Sequence, residues 1–155
     1  MSDYVVVKWL HVLSSTLLFG TGVGSAFYLL TAAWRGRPPV VHFVVRHVVI
    51  ADWLFTATTV VVQPLTGWYL MRRAGFPVTA TWLHASIVLY VLAVGCWLPV
   101  VWLQVRMRAL SAPDALAEGA LPPAFWRAFR AWVGLGVPAL CAFLVIFYLM
   151  VAKPA

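Results

Sequence analysis

Four long apolar runs constrain this chain more than any other feature of its sequence. They lie at roughly 5–34, 44–71, 81–105 and 124–152. A spanning helix needs about 20 apolar residues, so each run is long enough to cross a bilayer. The chain is 64% hydrophobic over 155 residues, which is more apolar surface than a soluble domain of this size can bury. The sequence therefore predicts a single-domain, all-α polytopic membrane protein built as a four-transmembrane-helix bundle.

The positive charges of the chain lie at the ends of these runs. The formal net charge is +7, but cations at run ends are typical of membrane proteins, so we expect the lipid bilayer and no nucleic acid as partner. The first and third connections and the helix ends beside them carry Arg35, Arg37, Arg46, Arg106, Arg108, Arg127 and Arg130, and the opposite side carries Lys8, Arg72, Arg73 and Lys153. Cytoplasmic loops of membrane proteins are enriched in Lys and Arg, so the side with the first and third connections is predicted to be cytoplasmic. Both termini are then predicted to lie outside.

The motif Trp-Leu-His opens two of the runs, as Trp9-Leu10-His11 and Trp82-Leu83-His84. His11 lies about six residues into the first run and His84 about three into the third, or roughly 9 and 5 Å deep. Both runs enter from the same face, so the two imidazoles share one leaflet. Ionisable groups in lipid are costly and usually functional, and histidine commonly binds haem iron or copper. We predict both as metal ligands, with His11 favoured because His84 is shallow enough to be an interface residue; a proton relay is the alternative for His11.

Two polar residues of the second run complete the candidate set. Gln63 precedes Pro64, which frees the Val60 carbonyl and can kink the helix. Gln63 then either binds a cofactor or ligand, or hydrogen-bonds the interrupted backbone. Asp52 is the acidic residue placed within a run, where an isolated carboxylate needs a partner. Arg130, at a similar depth in the fourth run, is the predicted partner in a structural ion pair, and a proton-transfer role for Asp52 is the alternative.

Two spacings suggest further organisation. The Trp-Leu-His motifs are 73 residues apart, and Pro64 and Pro138 are 74 apart. Two duplicated helix hairpins would produce this pattern, and so would chance in a chain rich in Trp, Leu and Val. The spacing Gly20-x-x-x-Gly24 favours close helix packing, with a groove for a flat porphyrin as the alternative.

Common catalytic motifs are absent from the sequence. It contains no P-loop, GxSxG, HExxH or dinucleotide-binding glycine pattern. With four acidic residues in all, it offers little for carboxylate-based hydrolysis or a magnesium site. One-electron chemistry performed by a bound cofactor remains feasible. These observations leave open whether the protein is an enzyme.

Several segments are typical of one family of bacterial inner-membrane proteins. They are residues 11–22 (HVLSSTLLFGTG), 51–56 (ADWLFT), 63–67 (QPLTG) and 96–107 (CWLPVVWLQVRM). On these segments, and over nearly the whole chain, the sequence is identified as a member of the family described as domain of unknown function 2269. Membership implies a multi-pass protein of the bacterial inner membrane and assigns no activity.

Shorter stretches resemble two other membrane groups. Lys8-Trp9-Leu10-His11 and Trp82-Leu83-His84-Ala85 are similar to the opening helices of CopD-type copper-resistance proteins and of the haem-b-binding membrane protoporphyrinogen oxidase. The oxidase pattern has a lysine where this chain has Ser86, and its Tyr-Leu-Pro-Arg-like stretch is missing here. The resemblance implies haem or copper binding through the histidines and does not extend to protoporphyrinogen oxidation.

Together these features predict a small inner-membrane redox protein. A b-type haem near the outer leaflet would be held by His11 and His84 with Gln63 beside it, and electrons would pass to or from a quinone or a membrane oxidoreductase. One alternative is a copper-handling or small-solute transport protein that uses the same three residues around a cavity. Another is a non-catalytic accessory subunit. A homo-oligomer is compatible with all of them.

Overall fold

The protein folds as four long helices. The computed structural model describes residues 2–116 and 119–154. All four helices are long and apolar enough to cross a membrane, which confirms the predicted all-α class and its four candidate spans. The helices are α1 (Asp3–Arg35), α2 (Pro38–Ala74), α3 (Thr81–Leu110) and α4 (Pro123–Ala152), and a short 3₁₀ turn, Pro113–Ala115, lies in the third connection.

Prolines and a glycine determine where the helices begin and end. Pro38 and Pro39 occupy the first turn of α2, where a missing N–H removes no helical hydrogen bond. For this reason α2 begins at residue 38, earlier than the apolar run that starts near 44. At its other end, Gly75 adopts φ 72° as the cap of α2, a left-handed conformation that glycine reaches without a steric penalty.

The second helix contains one turn of π-helix, Asp52–Thr56. The backbone N–H of Ala57 donates to the Asp52 carbonyl oxygen five residues earlier, which widens the helix at this point. Such insertions are rare and occur frequently at functional sites. The irregular turn therefore coincides with the acidic residue of the second span.

The helices pack as two hairpins that meet mainly at one end. Helix α1 packs along α2, and α3 packs along α4. We call the end that holds the first and third connections the connection end, and the end that holds both termini the terminal end. The main core lies toward the connection end and takes residues from all four helices, including Leu29, Val41, Val45, Leu103, Met107 and Phe125. A smaller buried cluster of Met71, Trp82 and Leu83 lies at the terminal end.

The predicted glycine packing is not made in this structure. A Cβ atom built on Gly20 or Gly24 would meet no heavy atom of another helix within 4 Å in the described chain. Within the described chain the pair therefore makes no close helix contact, contrary to the favoured packing interpretation. The hairpin arrangement agrees with the predicted architecture, and an internal duplication remains a prediction.

Candidate functional site

His11 lies in α1 with its imidazole half-buried against α2. Its Nδ1 atom is 2.7 Å from the Thr66 hydroxyl, and that hydroxyl oxygen is also 2.7 Å from the Val62 carbonyl oxygen. A threonine hydroxyl has one proton, and a carbonyl can only accept. One arrangement that satisfies all three groups has Thr66 donating to Val62 and Nδ1–H donating to Thr66. In that tautomer the Nε2 lone pair is free to bind a metal.

Gln63 joins α1 to α2 directly beside the imidazole. Its Nε2 donates to the His11 carbonyl oxygen at 2.9 Å and to the Ser14 hydroxyl at 2.8 Å. The Ser14 hydroxyl in turn donates to the same carbonyl at 3.1 Å. Gln63 and Ser14 are both buried. These bonds fix the α1 backbone that carries His11 relative to α2.

Gly67 completes this group because it lets the imidazole approach the α2 backbone. A Cβ atom at Gly67 would lie 3.3 Å from the His11 Cε1 atom, tighter than an ordinary contact. His11, Ser14, Gln63, Thr66 and Gly67 are called the His11 cluster below. The cluster holds one imidazole in a defined position, as hydrogen-bonding neighbours do for histidine ligands of metals.

The carbonyl freed by Pro64 is satisfied from another helix. Pro64 lies inside α2 and cannot donate to the Val60 carbonyl oxygen. The Tyr90 hydroxyl of α3 donates to that oxygen at 2.6 Å. Gln63 is therefore not the group that repairs the interrupted backbone, and its amide serves the His11 cluster.

Asp52 occupies a second buried polar position, on the π-helical turn. Its side chain is 7% exposed, and its Oδ2 atom accepts a hydrogen bond from the Trp97 indole nitrogen at 3.0 Å. The structure does not bring Arg130 to this carboxylate, because the Arg130 side chain is exposed. The partner of Asp52 is thus an indole N–H from α3 and not the predicted arginine from α4. Asp52 and Arg130 were matched by their depth in the membrane, and depth does not indicate that Arg130 lies on the exposed side of its helix.

The structure brings together two of the three predicted cofactor-binding residues. His11 and Gln63 meet in the His11 cluster. His84 is exposed near the start of α3 and makes no side-chain hydrogen bond to the part of the chain that the structure describes. Across residues 2–116 and 119–154, no three His, Cys, Asp or Glu side chains lie close enough to hold a metal ion.

Four residues around these sites were not predicted as partners from the sequence. Thr66 and Gly67 follow Gln63 by three and four positions, which places all three on one face of a helix. That spacing could have identified them once Gln63 was selected. Trp97 and Tyr90 lie on α3, and no local signal in the sequence links them to Asp52 or to Val60.

Comparison with known proteins supports the membrane assignment and adds no activity. Residues 5–154 match the family described as "Predicted integral membrane protein (DUF2269)". No curated protein and no solved structure shows significant similarity to the chain. The match covers almost the whole sequence, including all of the His11 cluster and Asp52. The chain therefore belongs to the DUF2269 family of integral membrane proteins and crosses the membrane several times.

Proposed function

We propose that this protein is a small membrane redox protein that holds a b-type haem through His11. The observation that carries the proposal is the 2.7 Å contact between the His11 Nδ1 atom and the Thr66 hydroxyl, which is compatible with an Nε2 lone pair that binds iron. Haem iron is commonly bound by a neutral imidazole whose other nitrogen donates a hydrogen bond to a neighbouring group. The donor set of the His11 cluster fits this requirement.

The surroundings of His11 also suit a haem better than a bare copper ion. A protein copper site usually takes several nitrogen or sulfur ligands, and in residues 2–116 and 119–154 no group of three such side chains is assembled. A porphyrin supplies four nitrogen ligands itself and needs one axial imidazole at the least. Lys8, three residues before His11 on the same helix face and exposed, is a suitable cation for a haem propionate.

A bound haem would supply one-electron transfer, and the protein would supply its binding site and its environment. His11 lies toward the terminal end, which the distribution of Lys and Arg predicts to face the outside of the cell. The electron partner that fits this location is a quinone in the membrane or another membrane oxidoreductase. His84, at the same end and exposed near the start of α3, would be the second residue to hold the haem.

Absorption spectroscopy of the detergent-purified protein from haem-replete cells tests this proposal. We expect a Soret band that shifts on reduction with dithionite and that disappears in His11→Ala. Thr66→Val should lower haem affinity by about 10–100-fold, the usual cost of losing the group that hydrogen-bonds a ligating histidine. His47→Ala is the matched control, because His47 is exposed and its Nδ1 bonds the Phe43 carbonyl of its own helix.

Two results would contradict the haem proposal. Colourless wild-type protein that does not take up added haemin would exclude a haem site. A Soret band that persists in His11→Ala would show that a residue other than His11 binds the haem. Elemental analysis of the same samples reports copper: stoichiometric copper that is lost with His11 would replace the haem proposal by the copper-handling alternative.

A further inference from the structure

The inward face of α2 carries an unbroken series of polar side chains. They recur at intervals of four, three, four and three residues, which is the spacing of one helix face. The series, called the polar seam below, consists of Asp52, Thr56, Thr59, Gln63 and Thr66. At 1.5 Å per residue it extends for about 21 Å along the helix. The seam begins at the buried carboxylate and ends at the His11 cluster.

The polar seam is buried and has a closed end and an open end. Asp52, Thr56 and Thr59 are only 7%, 6% and 4% exposed. The same face of α2 continues toward the connection end with buried valines, Val41 and Val45, in the main apolar core. Toward the terminal end the seam leads to Thr66 and to the half-buried His11. Among the described residues, the polar side chains of this face thus continue from Asp52 toward the terminal end and give way to buried valines toward the connection end.

Helix packing alone does not account for the seam. Polar side chains often join membrane helices by hydrogen bonds, and Gln63 does so with Ser14. The Thr56 hydroxyl, however, is buried, and the side chain that it interacts with is that of Asp52, one turn earlier in the same helix. The Oε1 atom of Gln104 on α3 is buried without a hydrogen-bond partner in the described chain. An unpaired buried polar group costs about 1–3 kcal/mol. Buried water is the usual partner of such atoms.

We infer that the polar seam gives water and protons access from the terminal end to Asp52, which acts as a proton-binding carboxyl inside the membrane. Membrane-embedded carboxylates commonly serve as proton-carrying groups. The step is a simple association: a proton arriving along the seam binds a carboxylate oxygen of Asp52, and it leaves by the same route. No other reactant is needed. The apolar core around Val45 separates Asp52 from the connection end.

Cysteine accessibility in sealed vesicles tests the route. In a Cys96→Ala/Cys141→Ala background, single cysteines are placed at the buried Thr59 and at the neighbouring Thr58, which is exposed. Lys153→Cys and Arg37→Cys serve as references for the two ends. A membrane-impermeant methanethiosulfonate should modify Thr59→Cys at least tenfold faster than Thr58→Cys, and only when applied to the side on which Lys153→Cys reacts.

Carbodiimide labelling of the otherwise unaltered protein supplies a second measurement. A water-soluble carbodiimide with an amine nucleophile should modify Asp52, as seen in the mass of its peptide, and Asp52→Asn abolishes that label. Thr59→Leu, which fills the seam, should reduce the Asp52 label at least fivefold, whereas Thr58→Leu should leave it unchanged. Because neither measurement involves a cofactor, both can be made on haem-free protein.

The two experiments give opposite results if the seam only joins helices. Equal modification of Thr59→Cys and Thr58→Cys, with an Asp52 label that is insensitive to Thr59→Leu, would overturn the inference. Faster modification of Thr59→Cys from the connection end would overturn the assigned direction. Failure of the haem proposal leaves both readouts intact, so the two ideas can fail separately.

Discussion

At the scale of single residues, His11 is positioned more tightly than a histidine at a membrane interface needs to be. Its ring is bonded to Thr66, its carbonyl accepts from Gln63, and its Cε1 atom faces Gly67. Each contact limits a different motion: rotation of the ring, sliding of the helix, and withdrawal from α2. A histidine that only contacts headgroups would require none of these partners.

Gly67→Ala should disturb His11 with little effect on the rest of the protein. The new Cβ would lie 3.3 Å from the imidazole, so the ring must shift by a few tenths of an ångström. We expect a weaker or displaced Soret band on haem addition. Gly95→Ala is the control, because a Cβ there meets nothing within 4 Å in the described chain. Identical spectra for the two variants would show that the ring does not depend on this contact.

At the scale of the helices, α2 is interrupted twice and is supported from α3 at both places. The π-helical turn presents Asp52 to Trp97, and the proline interruption presents the Val60 carbonyl to Tyr90. These two bonds join the hairpins in the region where their apolar contact is sparse. The irregular turns of α2 thus contribute to the association of the two hairpins.

A double-mutant cycle between Pro64 and Tyr90 tests this account. Tyr90→Phe leaves the Val60 carbonyl without its donor and should lower the free energy of unfolding by about 0.6–1.5 kcal/mol. Pro64→Ala restores a backbone N–H to that carbonyl, so Tyr90→Phe should cost much less in the Pro64→Ala background. Unfolding in mixed micelles measures both values, with the exposed Tyr148→Phe as the control. Equal costs in the two backgrounds would mean that the Val60 bond is unimportant.

The bond between Tyr90 and the Val60 carbonyl is also an example of a contact that the sequence does not predict. The four helices were predictable because hydropathy is a local property of the chain. His11, Gln63 and Asp52 were found because polar residues are rare in such runs. Their partners depend on how the helices are rotated about their axes, which depth along the bundle does not determine. That is why Arg130 was chosen for Asp52 and Trp97 was not.

At the scale of the whole molecule, the bundle is asymmetric along its axis. All four helices share one core toward the connection end, whereas the terminal end has a small cluster and a C-terminal anchor. The anchor is Lys153, whose amino group lies 4.9 Å from the Phe76 ring and 5.8 Å from the Trp82 ring. The polar sites lie outside the main core, on the side where the helices are less tightly packed.

Truncation of a core side chain at the connection end should therefore be costly for the whole bundle. Phe125 is fully buried there, and Phe125→Ala should lower stability by about 3 kcal/mol through the cavity it creates. Phe27→Ala, at a position that is 61% exposed, is expected to change stability by much less. Thermal unfolding in detergent compares them, and similar losses for both variants would place the main core elsewhere.

The orientation predicted from the Lys and Arg distribution is open to a direct test. With both termini outside, alkaline phosphatase fused after residue 154 should be active and a fluorescent protein fused there should be dark. Fusions within the third connection should give the reverse pattern. Fluorescence at the C-terminus would invert the orientation and would move the His11 cluster to the cytoplasmic side.

The order of the His11 cluster along the chain has a consequence for biogenesis. All five of its members lie between residues 11 and 67, within the first hairpin, whereas the indole that bonds Asp52 comes from α3. The contacts that position the imidazole can therefore form while the ribosome is still synthesising the second half of the protein. The His11 cluster is thus complete within the first hairpin and needs no residue of α3 or α4.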